Sequence, residues 1–258
     1  MTLQTITVEV SPRRVATLTL NRPDRGNSFN QALLDELRDQ LLALQADDRV
    51  RVVVLRGSGK HFCTGADLAS RGDGAAAAAE PAKPPATLRD VLIAVDTLSK
   101  PTIAVVHGGA LGGGAAVVAC CDVALATDAA FFSIPEVRVG MAPHGVTPFL
   151  IRAMGYRNFR RYGFSGERIA AAEALRIGLV HELCDAATVD DTLAAIVDAL
   201  LLGAPGALAE LKSAAAQFAS PTLATILAHG TPHNPRSPEA VEGVASFREK
   251  RKPNWYPQ

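Results

Sequence analysis

The chain has no net charge, only four cysteines and no long apolar run. Its 26 Lys and Arg side chains balance 26 Asp and Glu side chains, which gives no electrostatic reason for a nucleic-acid or membrane partner and permits self-association. The apolar stretch 110–121 is too short and too rich in glycine to cross a bilayer. We therefore expect a soluble globular protein that binds neither nucleic acid nor membrane.

The cysteines exclude further classes of site. None of Cys63, Cys120, Cys121 and Cys184 forms a C-x-x-C pair, and no group of His, Cys and Asp residues has the spacing of metal ligands, so we expect no bound metal. The first ten residues alternate Thr and Glu with apolar residues and do not resemble a secretory signal. A reduced, cytoplasmic setting is the simplest expectation.

Short strands and helices alternate through about residue 185, and helices alone follow. This order predicts an α/β protein with a core at 1–185 and a helical region at 186–258. Residues 5–10 and 15–20 each alternate polar and apolar side chains, which predicts a β-hairpin. A composition break at 72–85, an alanine run followed by prolines, predicts a mobile flap.

Two further segments near the hairpin have clear patterns. Ser28, with Gln31 three residues later, predicts a capping box at the start of an amphipathic helix that ends near Gln45. The buried face of that helix is predicted to carry Leu33, Leu37, Leu41 and Leu44. A β-branched strand is predicted at 50–56, and a second amphipathic helix at 88–98.

Two glycine-rich loops each follow a predicted strand. The apolar run 103–106 precedes the loop 107–114, and the strand at 50–56 precedes the loop 57–68. Because glycine loses the most backbone entropy on ordering, the five glycines of 108–114 predict neither a strand nor a helix interior. Their spacing fits neither a dinucleotide fingerprint nor a P-loop. Two alternatives stay open: a tight strand-to-helix connection, or two loops whose N–H groups converge on one oxygen as an oxyanion hole.

Eight motifs, in order, resemble the enoyl-CoA hydratase/isomerase (crotonase) superfamily over essentially the whole chain. They are LNRP (20–23), CTGAD (63–67), GALGGG (109–114), CD (121–122), PE (135–136), SGERI (165–169), GLV (178–180) and FREKRK (247–252). The resemblance implies a right-handed ββα spiral core and a helical C-terminal region that assembles trimers, often stacked into hexamers. It also implies an acyl-CoA thioester as substrate and no separate cofactor, because coenzyme A is part of that substrate.

The resemblance assigns the chemistry to backbone and carboxylate groups. The N–H groups of Ala66 and Gly113 match the two donors that hold the thioester oxygen while an enolate forms. Hydratases of the superfamily usually carry two glutamates. The first position is occupied here by Ala116, and the second is Glu136, which becomes the predicted proton shuttle.

The missing first glutamate leaves three functions open. The protein could be a lyase that adds water to a 2-enoyl-CoA, a double-bond isomerase that uses Glu136 alone, or a thioester-binding member without activity. The sequence around 133–143, 147–149 and 160–162 is similar to the branched glutaconyl-CoA hydratases, some of which also lack the first glutamate. This similarity favours hydration.

The remaining candidates surround the same predicted site. His144 is the one ionisable residue of the loop 141–145, where it could transfer a proton near neutral pH or line the pocket without a role. The resemblance implies coenzyme A contacts from Arg25 and Thr64 of the same subunit. It implies further contacts from Phe247 and Lys250 of a neighbouring subunit.

Overall fold

A computed structural model describes residues 3–67, 84–218 and 238–257. Six strands form one sheet in the order β1-β2-β3-β4-β6-β9, and three short strands form a second sheet in the order β5-β7-β8. The strands are β1 (Ile6–Val10), β2 (Val15–Leu20), β3 (Val52–Gly57), β4 (Thr102–Val106), β5 (Gly109–Leu111), β6 (Val123–Thr127), β7 (Phe131–Ser133), β8 (Ile169–Ala170) and β9 (Glu182–Cys184). Helices cover the sheets, which confirms the α/β class.

Nine α-helices lie within the described residues. They are α1 (Gln31–Ala46), α2 (Leu88–Asp96), α3 (Gly113–Cys120), α4 (Thr147–Met154), α5 (Tyr156–Ser165), α6 (Ala171–Arg176), α7 (Val189–Leu202), α8 (Pro205–Phe218) and α9 (Pro238–Glu249). Two short 3-10 helices, Pro23–Arg25 and Glu136–Val139, complete the list. The predicted flap at 72–85 falls almost entirely outside the described residues.

The N-terminal hairpin is confirmed. Strands β1 and β2 pair antiparallel, with Ile6 opposite Leu20. The predicted leucine face of α1 is also confirmed, because all four of its leucines are buried. The predicted capping box is wrong: α1 begins after Asn30, whose side chain accepts the Leu33 N–H at 3.0 Å. Asn is as good an N-cap as Ser, and Ser28 is buried two residues before that position.

The centre of the large sheet is parallel. Strand β3 pairs with β2 and β4, and β6 pairs with β4 and β9. Strand β3 begins at Val52, two residues later than predicted, because the Val50 N–H turns back to the Asp47 carbonyl. Both faces of β3 and β4 are buried, as expected for parallel strands covered by helices.

The glycine-rich stretch is more regular than its composition predicts. Gly109 opens strand β5, which pairs with β7, and Gly113 and Gly114 form the first turn of α3. The prediction that 108–114 holds no strand is therefore wrong at Gly109–Leu111. The prediction of no helix interior is not contradicted, because Gly113 and Gly114 lie at the N-terminus of α3. Pairing and close packing in the folded chain outweigh the entropy cost of ordering glycine.

Helix α7 packs on the face of the large sheet away from α1. Its Val189, Val197 and Leu201 share a buried cluster with Val54 of β3 and Leu125 of β6. Residues on both sides of the predicted boundary at 185 thus contribute to one core cluster. The boundary itself, and the oligomerisation role of the region 186–258, stay predictions.

Neither a membrane span nor a metal site is found in the described ranges. No single helix there has the length and apolarity to cross a membrane; α7 and residues Pro205–Gln217 of α8 reach that measure only when joined across a 100° bend. Within the same ranges, no group of three or more His, Cys, Asp or Glu side chains could hold a metal ion.

Candidate active site

The two glycine loops lie side by side and are joined by backbone hydrogen bonds. The Cys63 N–H donates to the Gly109 carbonyl at 3.1 Å, and the Leu111 N–H donates to the Cys63 carbonyl at 2.9 Å. A third segment holds the other side of the first loop, because the Phe29 N–H donates to the Gly65 carbonyl at 2.7 Å. These bonds fix the backbone that leads into Ala66 and Gly113.

Gly65 brings the two predicted donors together. Its φ of +86° suits glycine, and a Cβ on it would lie 2.9 Å from the Leu111 carbonyl oxygen and 3.9 Å from the Gly113 nitrogen. Gly113 is the first residue of α3, where an N–H has no partner within the helix. In the described ranges, no backbone or side-chain hydrogen bond uses the N–H of Ala66 or Gly113. Two unused donors therefore stand on adjacent loops, beside the positive end of a helix dipole.

Apolar side chains cover the second donor. A Cβ on Gly113 would lie 2.7 Å from Leu88 Cδ2 and 3.2 Å from Phe29 Cε2. Ala66, by contrast, is exposed. Apolar side chains thus pack against Gly113, and Ala66 beside it is open to solvent. Apolar surroundings strengthen the electrostatic interaction of a backbone donor with a bound oxygen once water is displaced.

The carboxylate of Glu136 lies against the same glycine loop. Glu136 opens the short 3-10 helix that follows β7. A Cβ on Gly112 would be 2.4 Å from Glu136 Oε1, so the carboxylate rests on the Cα of the residue directly before Gly113. Within the described chain, Glu136 Oε2 is buried and has no hydrogen-bond partner. Burial raises the pKa of Glu136, opposed only by a hydrogen bond from its own backbone N–H.

The position of the family's first glutamate is apolar. Ala116 is completely buried on α3, and its N–H donates to the Gly112 carbonyl at 3.1 Å. It packs within the main hydrophobic cluster of the protein. This position therefore supplies neither a second proton shuttle nor a ligand for water.

His144 lies in an exposed turn after the 3-10 helix. Its N–H donates to the Ala142 carbonyl at 2.9 Å, and the residue is exposed. In the described residues, no hydrogen bond or ion pair joins His144 to Glu136. A catalytic role for His144 stays a prediction.

The predicted coenzyme A contacts fall into two groups. Thr64 lies against the residue after Arg25, because Thr64 Oγ1 donates to the Gly26 carbonyl at 3.1 Å, and the exposed Arg25 faces Asp24 at 3.7 Å. Phe247 belongs to α9, and Lys250 is exposed just beyond it with a φ of +53°. The structure brings Arg25 and Thr64 together; contacts of Phe247 and Lys250 with a neighbouring subunit stay a prediction.

One residue of the site, Gly112, has a role that the sequence did not predict. Gly112 carries the Glu136 carboxylate, and its N–H donates to the Ser133 carbonyl at 2.8 Å. Its φ of +51° and ψ of −116° lie in a region that favours glycine. The one available signal was its place in the run of three glycines, which does not indicate which glycine meets the carboxylate.

This site combines paired backbone donors with a single half-buried carboxylate, a geometry suited to holding an oxyanion while a proton moves. The model of the enoyl-CoA hydratase/isomerase family matches residues 11–258. The 2,3-dehydroadipyl-CoA hydratase of Escherichia coli is 32% identical over 94% of this chain and 95% of its own length. The probable enoyl-CoA hydratase echA8 of Mycobacterium tuberculosis is 33% identical over 99% of each chain.

Solved structures give the same result. Pseudomonas aeruginosa AtuE superposes with a TM-score of 0.88 at 33% identity, covering 98% of this chain and 100% of its own. An enoyl-CoA hydratase from Shewanella pealeana superposes with a TM-score of 0.87 at 28% identity, covering 98% and 96%. The chain therefore belongs to the enoyl-CoA hydratase/isomerase family and has the crotonase fold.

Proposed function

We propose that this protein is a lyase that adds water to a 2-enoyl-CoA thioester. The N–H groups of Ala66 and Gly113 hold the thioester oxygen, and Glu136 moves the proton. One observation carries the proposal: the carboxylate of Glu136, whose buried Oε2 has no hydrogen-bond partner, lies on Gly112, one residue from an unused oxyanion donor. The hydratase names of the relatives from E. coli and M. tuberculosis support the same reaction.

A single carboxylate is sufficient to balance the reaction. As the water oxygen bonds to C3, its proton passes to the ionised Glu136, and the C2–C3 π electrons move to form an enolate whose oxygen accepts from both amides. Glu136 then returns the proton to C2, which restores the carbonyl and the carboxylate. Backbone donors suit this role because they are oriented in advance; losing one such donor typically costs about 2.7–4 kcal/mol.

The raised pKa of Glu136 supports the shuttle. A carboxyl that both takes and gives a proton works best when its pKa lies closer to the working pH than that of an ordinary glutamate. Burial moves the pKa of Glu136 in this direction. The side chains of Leu88 and Phe29, which pack against Gly113, would limit the access of further water to the enolate oxygen.

Ala116 favours a second candidate, double-bond isomerisation. With no second carboxylate on α3 to hold water, Glu136 could remove a proton from C2 of a 3-enoyl-CoA and return it to C4. A thioester-binding protein without activity is the third possibility. A panel of 2-enoyl and 3-enoyl-CoA esters, straight and branched, separates the three through the absorbance of the conjugated thioester and identification of the products.

Hydration removes the conjugated absorbance from a 2-enoyl ester, and isomerisation of a 3-enoyl ester creates it. We expect the first result, with at least one branched ester among the substrates. Creation of the band without any loss from 2-enoyl esters would favour the isomerase. No change with any ester, together with measurable binding of acyl-CoA, would favour the inactive member.

Glu136→Gln tests the proton shuttle directly. The variant keeps the shape of the side chain but cannot move a proton, so we expect kcat to fall by roughly 10²–10⁴-fold, the usual contribution of such a group. Glu182→Gln, an exposed glutamate on β9, is the control and should match the wild type. Turnover of Glu136→Gln within about tenfold of wild type would contradict the role of Glu136.

The remaining expectations follow from the same proposal. We expect Arg25 and Thr64 to contact coenzyme A, and Phe247 and Lys250 of a neighbouring subunit to complete the nucleotide site. A homotrimer or hexamer and a cytoplasmic location belong to this proposal as well. Light scattering and binding assays with Arg25 and Lys250 variants would check them.

A further inference from the structure

The catalytic carboxylate has no side-chain partner that could hold it in place. Within the described chain, Glu136 Oε2 has no hydrogen-bond partner, Oε1 lies against the Cα of Gly112, and the one hydrogen bond to the carboxylate comes from the N–H of Glu136 itself. A glutamate has three side-chain torsions with several staggered states each. Its position must therefore come from the backbone that carries it, the 3-10 helix Glu136–Val139.

That backbone is tied on both sides to one turn at the end of α5. Three residues before Glu136, Ser133 Oγ donates to the Gly166 carbonyl at 2.9 Å. Two residues after Glu136, Arg138 Nε donates to the Ser165 carbonyl at 3.0 Å. The turn itself is fixed, because the Gly166 N–H donates back to the Tyr162 carbonyl at 2.8 Å.

The approach of Arg138 depends on the turn having a glycine. Gly166 has a φ of +61°, and a Cβ on it would lie 2.9 Å from Arg138 Nε. The guanidinium therefore packs directly over the backbone of the turn. A charged donor to a backbone carbonyl forms one of the stronger classes of hydrogen bond.

Ser133 also joins this turn to the oxyanion loop. Its hydroxyl binds the turn, and its carbonyl accepts the N–H of Gly112, the residue on which the carboxylate rests. Ser133 and Gly166 are both buried, so loss of the hydroxyl would leave the Gly166 carbonyl without this donor. One residue, Ser133, thus connects the turn through its hydroxyl and the oxyanion loop through its carbonyl, three positions before Glu136.

We propose that Ser133 and Arg138 are positioning residues that hold Glu136 against Gly112 by anchoring its 3-10 helix to the Ser165–Gly166 turn. The inference rests on the proposed function of Glu136 as the proton shuttle. The position of the carboxylate is then fixed by the hydrogen bonds that Ser133 and Arg138 donate. Neither side chain contacts the substrate or the reacting atoms.

The test compares Ser133→Ala and Arg138→Ala with Arg161→Ala. Arg161 lies on α5 and pairs with Glu167 across the Ser165–Gly166 turn. Its loss therefore perturbs the turn without releasing the 3-10 helix that carries Glu136. We expect each positioning variant to lower kcat by roughly tenfold, well below the loss for Glu136→Gln, with little change in KM. Arg161→Ala should match the wild type, and Ser133→Thr, which keeps a hydroxyl, should restore most of the loss.

A second readout does not depend on turnover. Carbon NMR of the glutamate carboxyls, with Glu136 assigned by its absence in Glu136→Gln, gives the pKa of Glu136 directly. In Ser133→Ala and Arg138→Ala we expect this pKa to fall towards the ordinary glutamate value, because a released carboxylate gains water. Arg138 is exposed, so Arg138→Ala keeps the test valid even if Ser133→Ala fails to fold.

The outcomes separate the two proposals. Unchanged kcat and unchanged Glu136 pKa in both variants, or an equal loss in Arg161→Ala, would overturn the positioning role while leaving the shuttle intact. If Glu136→Gln stays active but the Glu136 pKa still moves in both variants, then the anchors hold the carboxylate and the shuttle assignment fails.

Discussion

The oxyanion donors and the carboxylate sit on very different supports. The donors follow backbone that is completely buried, as at Cys63 and Ala110, whose side chains are 0% exposed. The carboxylate starts a 3-10 helix whose other residues, and the Gly140 that ends it, are all exposed. One half of the site is built into the core, and the other half is attached to it at the surface.

The difference predicts how each half fails. The backbone donors are positioned by the packing that stabilises the fold, so damage to them should lower both stability and activity. The 3-10 helix that carries Glu136 contributes little to the core. Substitutions in this helix should therefore lower activity and leave the free energy of unfolding nearly unchanged. Glycine variants can test this division, because several glycines of the site have closely matched counterparts elsewhere.

Among the glycine variants, the largest effect is expected for Gly112→Ala, at the junction of the two halves. The added Cβ would lie 2.4 Å from Glu136 Oε1, which must move the carboxylate by about 1 Å. A displacement of that size can cost on the order of 10²-fold in rate. Steady-state kinetics with the best ester of the panel should show this loss.

Gly140→Ala is the matched control for that variant. Gly140 also has a positive φ, +72°, but a Cβ there meets nothing within 4 Å. The two glycines differ in ψ: Gly140, at +17°, is left-handed helical, whereas Gly112, at −116°, lies outside that region. A left-handed alanine costs about 1–2 kcal/mol, so Gly140→Ala measures the cost of a positive φ without any contact to the carboxylate. An equal loss of kcat in both would show that strain, and not the carboxylate contact, sets the effect.

Gly114→Ala tests the buried half. Its Cβ would lie 2.4 Å from the Cys63 carbonyl oxygen, which is backbone and cannot turn away, so the two loops must separate. We expect a loss of about 1–3 kcal/mol in the free energy of unfolding, together with a loss of activity. Chemical denaturation and kinetics on the same preparation would measure both.

Gly163→Ala is the control for Gly114→Ala. Gly163 is also a buried helical glycine, but its added Cβ would meet Phe159 at ordinary contact distances of 3.4–3.7 Å. Replacing glycine by alanine inside a helix then stabilises by roughly 0.5–1 kcal/mol. If Gly114→Ala also gains stability, the two loops are not as tightly packed as the contact to Cys63 indicates.

The sequence predicts the buried half better than the exposed half. Alternation and the leucine spacing give the hairpin and the face of α1, because burial selects those periods. The starting residue of α1 could not be derived, since Ser28 and Asn30 are both good N-caps. The strand at Gly109 was missed because its pairing with Phe131 is a contact distant in sequence that overrides local preference.

The same limit applies to the site. The motifs name Ala66, Gly113 and Glu136, because each is defined by its neighbours in the chain. The contacts from Gly112 to Glu136 and from Ser133 to Gly166 join residues 24 and 33 positions apart, and no local pattern marks them. Positioning groups of this kind become visible only when the chain is folded.

The pH dependence of activity sharpens the comparison, because the backbone donors do not titrate. Glu136 must be ionised to take a proton, and burial raises its pKa above the ordinary value. The acid limb of kcat/KM should therefore lie above about 4.3, the reference pKa of glutamate. The profile is measured with an ester whose own absorbance does not depend on pH. An apparent pKa of the acid limb at or below the reference value would contradict ionisation of Glu136 as the controlling step.

The smallest expected effect is a gain in stability for Glu136→Gln at neutral pH. Because the folded-state pKa of Glu136 is raised above its unfolded value, its favourable contribution is complete below the unfolded pKa and is lost as pH rises through the folded pKa. At pH 7 the wild type holds an ionised carboxylate in a partly buried position, and the glutamine variant does not. The melting temperature of Glu136→Gln should exceed that of the wild type at pH 7, and the difference should disappear near pH 4, with Glu182→Gln showing neither change. A variant less stable than wild type at pH 7 would mean that the carboxylate stabilises the fold, and the division between a structural half and a catalytic half of the site would no longer hold.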